Sequence, residues 1–291
     1  MSDPIAPNPR PAATVVVLRD GPAGPQVFMV RRHQGTAFMG GAHVFPGGRV
    51  DAGDRDTADA SWCDGVDTAA AQLADLPAPD AVAFHVAALR ELFEEAGVLL
   101  ARDASRAFVR LVGDDVRARF KRYRADVHDG VRSLREVMTG EQLRLALDAL
   151  VAFAHWVTPP IDVRQFDTRF FITRVPPDQT PAHDDTETTH SVWIRPADAI
   201  AEALRDEIVL PPPTWTTLRE LEPFQSVEEA LAWAQRRVLV RRMPHHIVDA
   251  AGRRMLLLPG DPLHPEPSDR PPAETRFVHV NGRWRAQRSR A

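Results

Sequence analysis

The stretch Arg90-Glu91-Leu92-Phe93-Glu94-Glu95-Ala96-Gly97-Val98 constrains this chain more than any other. On a helix of 3.6 residues per turn, counting from Glu91, Glu95 falls near ~40° and Glu94 near ~300°. The three carboxylates therefore share one arc. Val82, Leu89, Leu92, Phe93 and Ala96 fall between roughly 100° and 200°, an apolar stripe that a core would bury. Glu91 and Glu95 are a like-charged i,i+4 pair, which destabilises a helix by about 0.2–0.5 kcal/mol unless something positive lies between them. Arg90 stands four residues before Glu94 and on spacing alone relieves one acid of the three. A divalent cation is one answer, because hard cations such as Mg²⁺ take oxygen ligands. A solvated acidic face is the other.

Upstream, Phe45-Pro46-Gly47-Gly48 closes an apolar run with a turn signal, and its two glycines let backbone approach a ligand closely. The glycine turn and the acidic helix together resemble the Nudix box, G-x5-E-x7-R-E-U-x-E-E-x-G-U, where U is bulky and aliphatic. Arg90, Glu91, Leu92, Glu94, Glu95, Gly97 and Val98 fill every fixed position of its second half. The first half departs twice. Six positions after Gly48 stands Asp54 in place of Glu, and the seven-residue spacer runs from Arg55 to Leu89, 35 residues, an insertion of about 28.

The resemblance implies an α/β fold, a Nudix α/β/α sandwich around a mixed sheet, with the insertion and an added helical lobe. It implies Mg²⁺ or Mn²⁺ held by Glu91, Glu94 and Glu95, and a catalytic set of Glu94, Glu95, Arg90 and Glu187. Arg90 is expected to pair with a neighbouring carboxylate and fix the helix, not to bind substrate. Asp54, a methylene shorter than the usual Glu and tethered to the insertion, is expected to have lost its structural partner. Substrate contacts are assigned to Arg32, Phe45, Gly47, Gly48, Thr158 and Arg169.

Composition narrows the class. The formal charge of −4 gives no hint of a nucleic-acid or membrane surface, and no apolar run approaches membrane-spanning length. Met1 to Ala13 is proline-rich and carries no hydrophobic leader. The lone Cys63 excludes an intrachain disulfide framework and fits a reducing cytoplasm. Lys121 is the single lysine, a bias toward arginine that codon usage explains as well as phosphate chemistry does.

Taken in order, residues 1–12 read as an arm. Thr14 to Leu18 and Gln26 to Val30 read as a hairpin around Asp20-Gly21-Pro22-Ala23-Gly24-Pro25, and Arg31 and Arg32 end its second strand near the expected substrate mouth. The insertion, residues 55–79, suits a short helix from Val66 to Leu76, and Asp80 is a plausible N-cap for the long helix that ends at Gly97. His85 lies in the apolar arc and reads as a packed histidine. Residues 102–150 read as a charged helical lobe, with a solvated basic run from Leu111 to Arg124 and a capping box at Thr139-Gly140-Glu141-Gln142 before a helix from Leu143 to Leu150.

Ala152 to Thr158 and Arg169 to Thr173 read as strands, with a polar connection between them that includes Phe166-Asp167-Thr168. His183-Asp184-Asp185-Thr186-Glu187 precedes the Val192 to Ile194 strand, and Nudix enzymes often bring a late-loop Glu to the metal site, so Glu187 is the fourth candidate carboxylate. Ala197 to Glu207, a segment starting at Pro211, and Ser226 to Arg236 read as helices. Met255 to Leu258 is a strand, and Phe277 to Arg285 is a hairpin turning at Asn281-Gly282. The Nudix domain is expected over 13–264, with a C-terminal hairpin and tail over 265–291.

The inserted box, with HVFPGG before it and ALRELFEEAGVLLA after it, together with WVTPP, FDTRFF and LLLPGDPLHP, is similar to the coenzyme A diphosphatase branch of Nudix enzymes. That branch cleaves coenzyme A or acyl-CoA to 3′,5′-ADP and 4′-phosphopantetheine. Other CoA-cleaving Nudix enzymes carry an Arg where this chain has Ala37. ADP-ribose, a nucleotide sugar or a dinucleotide as substrate, or a non-catalytic sensor domain, are the alternatives. The partner is in each case a small diphosphate, with neither nucleic acid nor membrane, and a homodimer is compatible with the resemblance.

Overall fold

The computed structural model describes residues 9–35, 39–55, 60–160, 164–184 and 187–287. Ala37, Asp185 and Thr186 lie outside them. β1 (Arg10–Gly21) and β2 (Gly24–Arg32) form the expected hairpin, with Leu18 opposite Val27. β1 already begins at Arg10, inside the segment expected as an arm, because its first residues pair with a later strand. β3 (His43–Val44) joins β2, and β4 (Gly47–Arg49) joins β1, on either side of the Phe45-Pro46 corner.

α1 (Ala52–Arg55) leads into the insertion, which contains β5 (Cys63–Asp64) and α2 (Val66–Gln72). The long helix α3 (Ala78–Ala96) follows. It starts at Ala78 with Pro77 as cap, not at Asp80, and Pro79 fits inside its first turn, which has no use for the missing N–H. It ends at Gly97, whose left-handed backbone (φ 67°) lets its N–H bond Phe93 O.

After β6 (Ala101–Arg102) come α4 (Asp114–His128) and α5 (Leu134–Gly140). Two expectations fail here. The capping box is Ser133 with Glu136, not Thr139 with Gln142, and Leu143 to Leu150 is not a helix. It forms β7 (Arg144–Ala146) and a short 3₁₀ turn, because β7 pairs with both β5 and β6 in a three-stranded sheet. Pairing across sequence outweighs the local helical pattern.

The main sheet is completed by β8 (Val151–Val157), β9 (Phe166–Arg174) and β10 (Thr188–Ile194). Phe166 to Thr168, expected in a connection, belongs to β9, which runs parallel to β1 from Arg10–Phe166 to Leu18–Arg174. Helices α6 (Pro196–Leu204), α7 (Pro212–Leu221) and α8 (Val227–Gln235) follow. β11 (Arg241–Arg242) then sets the strand order β10-β2-β1-β9-β8-β11, a mixed sheet.

Alternation along β1 divides the core. Val15 and Val17 pack toward α3 with Leu89, Leu92 and Phe93, while Val16 and Leu18 pack toward α6, α7 and α8 with Ile200, Leu218 and Ala230. The result is the α/β/α sandwich expected. His85 is packed as read, its Nδ1–H donating to Ala81 O at 2.8 Å and its ring 4.6 Å from Phe171.

A second sheet of four strands, β12 (His245–Val248), β13 (Arg254–Leu257), β14 (Arg276–Val280) and β15 (Arg283–Gln287), closes the fold. The expected boundary at 264 does not separate units, since Leu256 pairs with Phe277 across it and both pack into the main core. Among the described residues no helix is long and apolar enough to cross a membrane.

Candidate active site

The acidic arc of α3 faces the turn after Phe45. Gly47 donates its N–H to Glu95 Oε2 at 2.8 Å, locking the turn to the helix. Both glycines are required by close approach. A Cβ on Gly47 would lie 2.3 Å from Ala13 O, and one on Gly48 would lie 2.4 Å from the Glu91 carboxylate.

Arg90 lies at the centre of the charge network. Its Nε and Nη2 each donate to Asp54 at 2.9 Å, while Nη1 donates to Glu91 at 2.9 Å and to Glu94 at 3.0 Å. Nη2 also donates to Arg49 O at 2.8 Å. Arg90 thus orders the helix against the glycine turn, as expected, but it relieves two of the helix acids and not one. Asp54 has not lost its partner. The four-residue α1 turns its carboxylate inward, only 4% exposed, far enough to reach the guanidinium without the extra methylene.

Burial sets the acidity of the arc. It pushes the Glu91 carboxyl up to about 7, with Arg90 offsetting part of the effect, and it raises Glu94 as well. Glu95 is raised well above the usual carboxylate range by burial first and by the Glu91 charge second. Among the described residues no three acidic or imidazole side chains converge into a preformed metal cage. Glu91 and Glu94 point to Arg90, and Glu95 to Gly47. The donor chemistry nonetheless fits a hard divalent cation, since three carboxylates on one face are disfavoured as anions and a cation would relieve that.

A cleft runs over this face, lined by Arg90, Glu91, Glu94, Gly47, Gly48, Arg32 and Glu187. Glu187 is fixed there by its N–H to Asp184 and by its carbonyl, which accepts from His33 N–H at 2.9 Å. Its charge contributes, after burial, to the raised pKa of Glu91 and of Glu95. Arg32, and not Arg31, lines the cleft, and its charge acts on Glu95 in the opposite sense. Phe45 and Thr158 line the adjoining hollow, where the Thr158 hydroxyl accepts from Phe166 N–H at 3.1 Å.

Arg169 is a correction. It is 3% exposed, lines neither space, and donates through Nη1 and Nη2 to Asp75 at 3.2 and 2.6 Å. It clamps the end of the insertion onto β9.

Several residues at the cleft escaped the sequence. His128 lines it 3.9 Å from Glu94, and Arg124, one turn earlier on α4, donates to Glu94 O at 2.7 Å and to Ala182 O at 3.0 Å. Both lie in or beside a basic run read as solvated; their i,i+4 spacing was the available signal. Arg10, Arg49 and Arg164 also line the cleft, and among the described residues their guanidinium groups have no hydrogen-bonded or ionic partner.

Residues 66–221 match a family model described as the NUDT19 Nudix domain. The human acyl-coenzyme A diphosphatase NUDT19 is 30% identical over 298 residues, spanning 89% of this chain and 78% of that protein. The chicken protein of the same description is 28% identical, spanning 86% and 75%. Among solved structures, a NUDIX hydrolase from Alicyclobacillus acidocaldarius superposes with a TM-score of 0.66 at 28% identity, covering 77% of this chain and 96% of that one.

Proposed function

This chain belongs to the NUDT19-type Nudix hydrolases, and on that footing we propose that it cleaves the diphosphate of coenzyme A or acyl-coenzyme A. Water adds to one phosphorus, the P–O bond to the bridging oxygen breaks, and the products are 3′,5′-ADP and (acyl-)4′-phosphopantetheine. One observation carries this reading most strongly. The acidic face of α3 floors a cleft rimmed by Arg10, Arg49 and Arg164, whose guanidinium groups have no hydrogen-bonded or ionic partner among the described residues, so groups that would hold a cation lie beside groups that attract phosphates.

Glu91, Glu94 and Glu95 would hold Mg²⁺ or Mn²⁺. Such a cation neutralises charge on the diphosphate and acidifies water. The chain supplies the remainder. Gly47 and Gly48 let backbone approach the phosphates, and the Gly47 N–H fixes the Glu95 carboxylate. Arg90, anchored by Asp54, orders Glu91 and Glu94 directly, and Arg32 offers its charge to the substrate beside Glu95. Glu187 and Glu94 are the candidates to take the proton from water, each at the cleft surface.

The test is turnover of CoA, dephospho-CoA, ADP-ribose and NADH side by side with Mg²⁺, with products identified by mass. Release of 3′,5′-ADP from CoA at the highest kcat/KM supports the reading. A clear preference for ADP-ribose or NADH overturns the substrate and leaves the reaction class.

A further inference from the structure

The cleft does not stop at the acidic helix. Through Thr14, Arg32, Gly47, Phe166 and Thr168, which line both spaces, it opens into a hollow of about 400 Å³. The C-terminal sheet walls this hollow with Leu256 of β13 and His279 and Trp284 of β14 and β15. These strands lie beyond residues 66–221, the part that matches the family model.

The two ends of the cleft differ in chemistry. The acidic end adds Arg10, Arg49 and Arg164 to the shared Arg32. The hollow adds one cation, Arg254, and that guanidinium sits over the Trp284 ring at 6.0 Å. Pro211, Pro212 and Pro213 line it and have no N–H to offer a phosphate. The wall is also held in place. Arg283 donates to Asp206 O at 2.9 Å and Arg285 to Ala203 O at 3.2 Å, and Trp284 packs onto the main core beside Leu256 and Phe277.

Acyl-CoA has the same asymmetry. On one side of its diphosphate is a nucleoside with a further phosphate; on the other is an uncharged arm ending in a thioester and a hydrocarbon chain. Phosphate favours the arginine end. The uncharged arm favours the hollow, whose lining is more apolar and carries fewer cations and whose threonine hydroxyls can meet the amides of the arm.

We propose that the C-terminal sheet is the specificity wall for the acyl-pantetheine arm, with Trp284 as its principal contact, and that the nucleotide lies toward Arg49. This rests on the coenzyme A reading above. The test compares wild type, Trp284→Ala and Arg49→Ala on CoA, dephospho-CoA and octanoyl-CoA, with thermal melting as the check on folding. Trp284→Ala should lower kcat/KM for octanoyl-CoA on the order of tenfold or more through KM, affect CoA less, and leave the CoA to dephospho-CoA ratio unchanged. Arg49→Ala should shift that ratio and leave the octanoyl-CoA to CoA ratio unchanged. An equal loss on octanoyl-CoA and CoA in Trp284→Ala, or a shift of its CoA to dephospho-CoA ratio, overturns the proposal. If Trp284→Ala melts below the assay temperature, Trp284→Leu is judged by the same ratios. A wild type that hydrolyses ADP-ribose but no CoA species overturns the parent reading and this one with it, an outcome distinct from an unselective Trp284 variant.

Discussion

Asp54 and Arg90 meet through two parallel hydrogen bonds of 2.9 Å, although 36 positions separate them. The inserted segment lies between them, and the bridge joins α1 to α3 alongside the Arg55–Asp80 ion pair at 3.4 Å. Such paired contacts fix orientation as well as distance. Removing one partner from a buried pair typically costs about 3–5 kcal/mol, because the other charge is stranded. Asp54→Ala should therefore destabilise the protein by an amount at the lower end of that range, since Arg90 keeps Glu91 and Glu94. It should also lower kcat by leaving those acids to compete for the guanidinium. Chemical denaturation and steady-state kinetics measure the two effects separately, and unchanged stability would refute the structural role.

Glu95→Gln tests the acidic arc. The amide keeps an oxygen for the Gly47 N–H, so the fold should persist with an unchanged melting temperature. Loss of the charge should lower kcat by about a hundredfold or more, the scale of removing one main electrostatic contact at a reacting centre. Excess chelator should abolish wild-type turnover, and added Mg²⁺ or Mn²⁺ should restore it. Full activity in either condition would exclude a metal role for this face.

Gly48→Ala separates site geometry from stability. The three atoms nearest the added methyl all belong to the Glu91 carboxylate, a side chain that can swing aside, so folding should change little. Activity should fall sharply as Glu91 leaves the arc. At Gly47 the same change meets the backbone oxygen of Ala13 and should damage folding itself. Paired melting curves and rates for the two variants check this contrast.

His85 gives the fold a pH signature. Burial lowers its pKa from 6.5 to about 4 in the folded protein. A group whose folded pKa is depressed binds its proton preferentially when unfolded, so stability is full above about 6.5 and drains as pH falls toward 4. The loss can reach about 3 kcal/mol. Urea unfolding of wild type and His85→Leu at pH 7 and pH 4.5 should show wild type losing more between the two. Parallel losses would mean that His85 does not carry the effect.

The acidic helix was legible because Arg90 to Val98 carries its signal in nine consecutive residues, with the apolar stripe and the acids on opposite arcs. The β1–β2 hairpin and the Asn281-Gly282 turn were legible for the same reason, their determinants being local. What was missed depends on distant pairing. Leu143 to Leu150 has a helical pattern, but β5 and β6 offer hydrogen bonds on both sides of β7. Arg169 looked like a substrate contact because it ends a polar run, whereas its partner Asp75 lies in the insertion, 94 positions away. The basic run on α4 read as solvated, and only packing against α3 shows that Arg124 and His128 turn inward.

The three-stranded sheet of β5, β7 and β6 joins the insertion and the lobe into a single structural part. β5 comes from one and β7 from the other, and Gln72 of the insertion bonds Leu150 O and Ala152 N at the root of β8. Trimming residues 56–77 alone would strip β7 of one neighbour, leave Arg169 without Asp75 and open the start of a central strand. Removing the lobe alone would uncover β5 and take Arg124 from the end of α3. Engineered grafts between this chain and Nudix enzymes with an uninterrupted box should therefore exchange 55–79 and 102–150 as a set.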